Sequence, residues 1–171
     1  PKELDIYIPS HKIAIECNGT FWHSDQYKDC THHFEKFKSC LEKGVQLLTI
    51  WEDWIIHKPE IVRSIILSKL GIYKNRIYAR KCIIKEIDNK TCQEFLEYNH
   101  IQGKTIGGTR LGLYYNEELV SVMVFGHTRK GIGNENCTEL IRFCNKLNTQ
   151  VLGGANKLFK YYTNTYKPSK I

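Results

Sequence analysis

Apolar and polar residues alternate from Leu4 to Ile8 ("LDIYI") and again from Ile13 to Cys17 ("IAIEC"), with "PSHK" between them. A period of two marks half-buried strands, so the two stretches predict a hairpin. The period then lengthens. In "DCTHHFEKFKSCLEK", residues 29 to 43, Phe34, Phe37 and Leu41 recur at helical spacing, and Gly44 follows as a stop. "VQLLTIW" predicts a third strand, and "KPEIVRSIILSKLG", with Pro59 in its first turn and Gly71 at its end, a second helix. Residues 1 to 72 therefore predict a β-β-α-β-α unit.

The pattern weakens after Gly71, and residues 73 to 81 are short, basic and nearly aperiodic, as expected of a connector between domains. Residues 82 to 171 then predict a strand "CIIKEI", a helix around "NKTCQEFLEYNH", a hairpin "RLGLYYNEELVSVMVF", a strand "TELIRFCNK" and a helix opening at "GGANKLFKYYTNTY". The second unit reads β-α-β-β-β-α. Tyr161, Tyr162 and Tyr166 are expected to be half-buried on its last helix. No internal repeat or low-complexity tract interrupts the chain.

Composition narrows the classes. With 42% hydrophobic and 25% charged residues the 171-residue chain has the composition of a folded soluble protein, not of a disordered or fibrous one; the order of its elements makes it α/β. Its longest apolar runs, such as Ile65-Ile66-Leu67, fall far short of the roughly 18 residues of a membrane span, so no membrane partner is expected. The seven cysteines are scattered and form no Cys-x-x-Cys pair, which argues for a reducing, cytoplasmic compartment. Cys30, His32, His33 and Cys40 lack the two close ligand pairs of a structural zinc site. The chain opens without methionine and stops at Ile171 after "KPSK", which allows for a flank at either end.

Charge is divided unevenly. Residues 1 to 72 carry nine Lys/Arg against ten Asp/Glu, whereas residues 73 to 171 carry sixteen against eight. The net charge of +7 thus resides in the second half, which favours a polyanionic partner such as nucleic acid. The sequence assigns no oligomeric state.

Candidate chemistry collects at the end of the second strand, in "ECNGTFWHS". Asp5 and Tyr7 share one face of the first strand, and Ala14, Glu16 and Asn18 one face of the second, so Asp5 and Glu16 can meet across the hairpin. Neighbouring carboxylates repel unless a cation lies between them, and hard oxygen donors suit Mg²⁺. The alternative is a solvated Asp5 and a strand-end Glu16. Asn18-Gly19 turns the chain beside the carboxylates, and His23 follows, with a pKa suited to moving protons near neutrality. Phe21 and Trp22 would either plug the core or approach DNA. His33 and Lys36, a turn apart on the predicted helix, would face the site and touch phosphate. Glu52 and Asp53 would either add a ligand or sit at a helix N-terminus.

The run "DIYIPSHKIAIECNGTFWH" resembles the PD-(D/E)xK nuclease superfamily, and more closely the very-short-patch repair (Vsr-like) and EDxHD homing endonucleases, over residues 4 to 56. The resemblance implies a restriction-endonuclease-like mixed sheet with flanking helices and Mg²⁺-dependent cleavage of DNA, with Mn²⁺ as a substitute metal. Asp5 would be the metal-binding aspartate, Cys17 would offer its backbone carbonyl to the metal, His23 would be the catalytic histidine, and Phe21 and Trp22 the aromatic wedge. Glu16 takes the superfamily's carboxylate place. Asn18 stands where the superfamily has lysine, and His33 where the family has an acidic partner for the histidine. The positions of the repair enzymes' structural zinc ligands are Thr20, Asp25, Tyr27 and Asp53, so no such zinc is expected. A glutamate on a preceding helix is also part of the family pattern, and this chain begins too late to show it.

Residues 82 to 171 resemble the front part of a GNAT acyltransferase fold and, more particularly, the Mom-like domains fused to phage nucleases. "GGANKLFKYY" stands where such folds hold coenzyme A, but a tight turn explains a glycine pair equally. A truncated GNAT-like domain is expected to grip DNA instead, with Lys74, Arg76, Arg80 and Lys81, and Arg129 and Lys130 at a hairpin end, on phosphate. The expected protein is a phage or mobile-element homing-type endonuclease of a bacterial or phage-infected cell. The alternatives are a coenzyme A-dependent acyltransferase acting on nucleic acid and a catalytically inactive DNA-binding module.

Overall fold

In a computed structural model, which describes residues 3–19, 31–127 and 137–171, the first hairpin forms from β1 (Ile6–Ile8) and β2 (Ile13–Asn18). A 3-10 turn at Pro9–His11 joins them, with Lys12 in the left-handed region (φ 51°) donating its N–H to the Pro9 carbonyl at 3.1 Å. The strands run antiparallel, Ile6 opposite Ile15 and Ile8 opposite Ile13. β3 (Gln46–Trp51) lies parallel to β2 on its other side, with Glu16 opposite Thr49 and Cys17 opposite Ile50. A parallel neighbour requires a crossover, and α1 (Thr31–Glu42) supplies it. As the central strand of the order β1-β2-β3, β2 buries Ile13, Ala14 and Ile15, and Ile50 of β3 joins them.

Both predicted helix stops are Schellman motifs. At α1, Gly44 (φ 66°) donates to Leu41 and Val45 to Cys40, each at 2.9 Å. At α3 (Pro59–Lys69), Gly71 (φ 73°) donates to Ser68 and Ile72 to Leu67. The sequence pattern misses α2 (Glu52–His57), a six-residue helix between β3 and α3.

One expectation about α1 is reversed. Phe34, Phe37 and Leu41 are 67%, 49% and 64% exposed, and the helix instead buries Lys36 and Cys40. Periodicity shows that a helix has an apolar stripe but not which face the neighbouring strand attracts, and here Glu16 of β2 holds the Lys36 ammonium.

The chain divides into two compact units, Pro1–Arg63 and Ser64–Ile171, and the division falls within α3, ahead of the expected boundary at residue 72. Residues 73 to 81 are not a free connector. They form β4 (Asn75–Tyr78), paired in parallel with β9 (Thr149–Leu152), and a 3-10 turn at Ala79–Lys81. A four-residue strand held through its backbone shows little side-chain periodicity, so the sequence pattern missed both strands.

The rest of the second unit is an antiparallel sheet in the order β5-β6-β7-β8: Ile83–Glu86, Thr109–Tyr115, Glu118–His127 and Thr138–Asn145. Asn116 and Glu117, both at positive φ (49° and 66°), make the two-residue β6–β7 turn. Helix α4 (Asn89–Asn99) starts at Asp88, whose carboxylate accepts the Thr91 N–H at 2.9 Å, and its Cys92 and Leu96 pack with Val122 and Val124. Leu158 and Tyr162 of α5 (Gly154–Tyr166) pack on Leu111, Leu113, Met123 and Phe125. A sheet covered on both faces explains the near-continuous apolar run of β7, "LVSVMVF". The protein is thus of mixed α/β class.

Candidate active site

The β1–β2 register, continued by one residue, sets Asp5 opposite Glu16. Beyond the last paired residues, Asp5 Oδ2 accepts the Cys17 backbone N–H at 2.8 Å, so its side chain extends the ladder. In an extended strand a residue's N–H and C=O leave toward the same edge. The Cys17 carbonyl therefore also opens toward the β1 edge, where Asp5 lies.

Glu16 and Asn18 share the face of β2 that carries Ala14. Glu16 is 8% exposed, Asn18 2% and Lys36 of α1 7%. Lys36 Nζ donates to Glu16 Oε1. The second carboxylate oxygen, Oε2, and the Asn18 amide oxygen are both buried without a hydrogen-bond partner. Lysine and glutamate are seldom buried unless paired, and buried acceptors are nearly always satisfied, so two orphans two residues apart on one strand face mark an unusual spot. Both carboxylates are felt by the exposed Cys17 thiol: partial desolvation at the strand end comes first, then the charges of Asp5 and Glu16, and all three push its pKa up.

Of the residues singled out from the sequence, Asp5, Glu16, Cys17, Asn18 and Lys36 come together around the end of β2. Lys36 was expected to face the site and touch phosphate; its ammonium lies at the site, where it is taken up by Glu16. His33 belongs to α1, but its side chain lies outside the described residues, as do Phe21, Trp22, His23, Arg129 and Lys130 altogether. Glu52 and Asp53 open α2, and Asp53 lies 3.3 Å from His57 one turn on, which fits the helix-terminus alternative. Among the described residues no cluster of three or more His, Cys, Asp or Glu is suited to a metal. The available donors are two carboxylates, one amide oxygen and one main-chain carbonyl, all hard oxygen ligands. That set fits Mg²⁺, which takes one or two protein carboxylates and completes its shell with water and substrate phosphate.

In the second unit Lys74, Arg76, Arg80 and Lys81 are all exposed. Arg76 Nε donates to Gln150 at 2.7 Å, and the Arg80 guanidinium lies 5.0 Å from the Tyr78 ring centre. The glycine pair before α5 has a packing explanation. Gly153 caps the helix at φ 77°, and a Cβ on Gly154 would come within 3.0 Å of Val151. Lys157, one turn into the helix, donates to the Ala79 and Cys82 carbonyls at 2.9 and 2.5 Å. Among the described residues no helix is long and apolar enough to cross a membrane.

No family model matches the chain, and no curated protein or solved structure matches it either.

Proposed function

We propose that the first unit is a metal-dependent endodeoxyribonuclease of the Vsr-like, PD-(D/E)xK kind, and that the second, GNAT-like unit grips double-stranded DNA. The observation that carries this reading is the pair of buried orphan acceptors, Glu16 Oε2 and Asn18 Oδ1, on the strand whose edge also presents Asp5 and the Cys17 carbonyl. Asp5, Glu16 and the Cys17 carbonyl would hold Mg²⁺, which when bound polarises the scissile phosphate and stabilises the leaving oxygen. The Cys17 N–H fixes Asp5 Oδ2 and leaves Oδ1 for a ligand. Lys36 neutralises one oxygen of Glu16 and contributes the positive charge that Asn18 does not supply at its own position. His23 is assigned the proton transfer by resemblance alone. A homing-type role in a phage or mobile element accords with the additional basic unit.

A second reading has one observation in its favour. Lys36 already compensates Glu16, so the site is electrically balanced without a metal, as in a DNA-binding module that has lost catalysis. Supercoiled plasmid incubated with the full chain and Mg²⁺ separates the two. Nicked or linear product that disappears with EDTA and in Asp5→Ala is the expected result. Retained DNA binding with no cleavage under Mg²⁺ or Mn²⁺ would establish the second reading instead.

A further inference from the structure

Two arginines stand in one row across the sheet of the second unit. Arg110 of β6 and Arg142 of β8 are both paired with Val124 of the strand between them. Directly opposed residues project to one face, and Val124 faces α4, in a cluster with Cys92 and Leu96. Cys144, two residues along β8 from Arg142, packs on the same cluster, and the Arg110 charge is felt at Cys92. The register break after Val124 leaves Ile141 as an extra residue on β8. Its Cδ1 lies where a Cβ on Gly126 would meet it at 2.6 Å, and the chain at Gly107 passes so close to Val124 that a Cβ there would meet it at 2.4 Å. The space beside both glycines is thus filled by apolar side chains, those of Val124 and Ile141.

Each guanidinium has five donors, and among the described residues each makes one hydrogen bond. Arg110 Nη2 donates to the Gly107 carbonyl at 2.6 Å and Arg142 Nη1 to the Ile141 carbonyl at 2.8 Å. The Nε of each is buried with no hydrogen-bond partner. Among the described residues, the ion pairs of Lys36 with Glu16, His57 with Asp53 and Lys146 with Glu118 include neither arginine. Two cations in one row repel, and a buried charged donor left unused is costly. A single anion with several acceptor oxygens relieves both.

We propose that Arg110 and Arg142 form a site for a phosphoryl group, held by the two guanidinium forks from either side. Phosphate suits the pair better than carboxylate, because it offers more than two oxygens and can meet two forks at once. Its source is either a phosphodiester of bound nucleic acid or the phosphate of a small molecule.

The test uses the full chain with both arginines as wild type, as Arg110→Gln with Arg142→Gln, and as Arg110→Lys with Arg142→Lys, each checked for a cooperative melt. A short duplex is titrated across a salt series, and inorganic phosphate and a nucleoside monophosphate are added to parallel melts. If the site holds backbone phosphate, the glutamine variant binds duplex about tenfold more weakly and its salt slope falls by about one, the single phosphate lost. If it holds a small phosphorylated molecule, duplex binding is unchanged but protection by phosphate or the monophosphate is lost. Should the glutamine variant not fold, the lysine variant carries the comparison. It keeps both charges and removes both forks, so severalfold weaker binding in one arm is expected. Unchanged duplex affinity together with unchanged phosphate and monophosphate melts would overturn the proposal.

Discussion

Lys36 is the residue on which the candidate site turns. A buried ammonium without its carboxylate, or the reverse, is an uncompensated charge, whereas replacing both partners with apolar groups is often tolerated. Lys36→Met is therefore expected to lower unfolding stability by about 3 to 5 kcal/mol, and the double variant Lys36→Met with Glu16→Leu to recover most of it, as read from urea melts. Equal losses in the two variants would mean that the pair is not a closed unit. Elsewhere, single ionisations leave their own signatures. The bonds from Thr91 hold the Asp88 carboxylate below its usual range, so its contribution is present above the unfolded-state pKa and lost as pH falls through the lower folded value. The acid limb of the melting curve should flatten in Asp88→Asn. Tyr166 shows the opposite sign: its hydroxyl donates to Glu86, which pushes its pKa up to about 12. The stabilisation from that bond is complete below the ordinary phenol pKa and disappears as pH rises through the folded value. Absorbance titration should show a late-ionising component, assigned to Tyr166, that is lost in Glu86→Gln.

At the scale of elements, helix ends carry much of the definition. Gly44 sits at φ 66° with nothing within 4 Å of a built Cβ, so Gly44→Ala meets backbone strain alone and should cost about 1 kcal/mol in a chemical melt. Gly154→Ala meets a different obstacle, the Val151 side chain under the start of α5. If both substitutions proved neutral, the left-handed stop of α1 and the close approach at α5 would be less constrained than their geometry indicates. Helix α1 illustrates how an element's face is chosen. Its apolar stripe is turned outward, and the buried face carries Lys36 and Cys40, with the Lys36 ammonium on Glu16 of β2.

For the whole molecule, the uneven charge sets what the proposed DNA-binding role predicts. Each phosphate met by a basic side chain adds about one unit to the slope of log affinity against log salt. Changing Lys74, Arg76, Arg80 and Lys81 together to glutamine should weaken duplex binding uniformly across sequences and lower that slope in proportion to the number of phosphates these side chains neutralise, as followed by fluorescence anisotropy. An unchanged slope would rule out β4 and its 3-10 turn as the proposed DNA-gripping surface. The same variant should retain its melt, because these four side chains are exposed.

Local signals legible along the chain include the β1–β2 hairpin, the stops at Gly44 and Gly71, the β6–β7 hairpin, and the order of the longer strands and helices. Each is written in a few adjacent residues, through periodicity, φ restriction and turn chemistry. Asp5, Glu16 and Asn18 were recognisable as candidates for the same reason, since strand alternation assigns their faces. The pairing of β4 with β9, more than seventy residues apart, was not legible, because backbone hydrogen bonds leave little mark on side-chain pattern. Nor was the pairing of Lys36 with Glu16, the two orphan acceptors beside it, or the row of Arg110 and Arg142. Which polar groups are buried, and which of them find partners, depends on what the rest of the chain brings against them, and that is decided only when the elements pack.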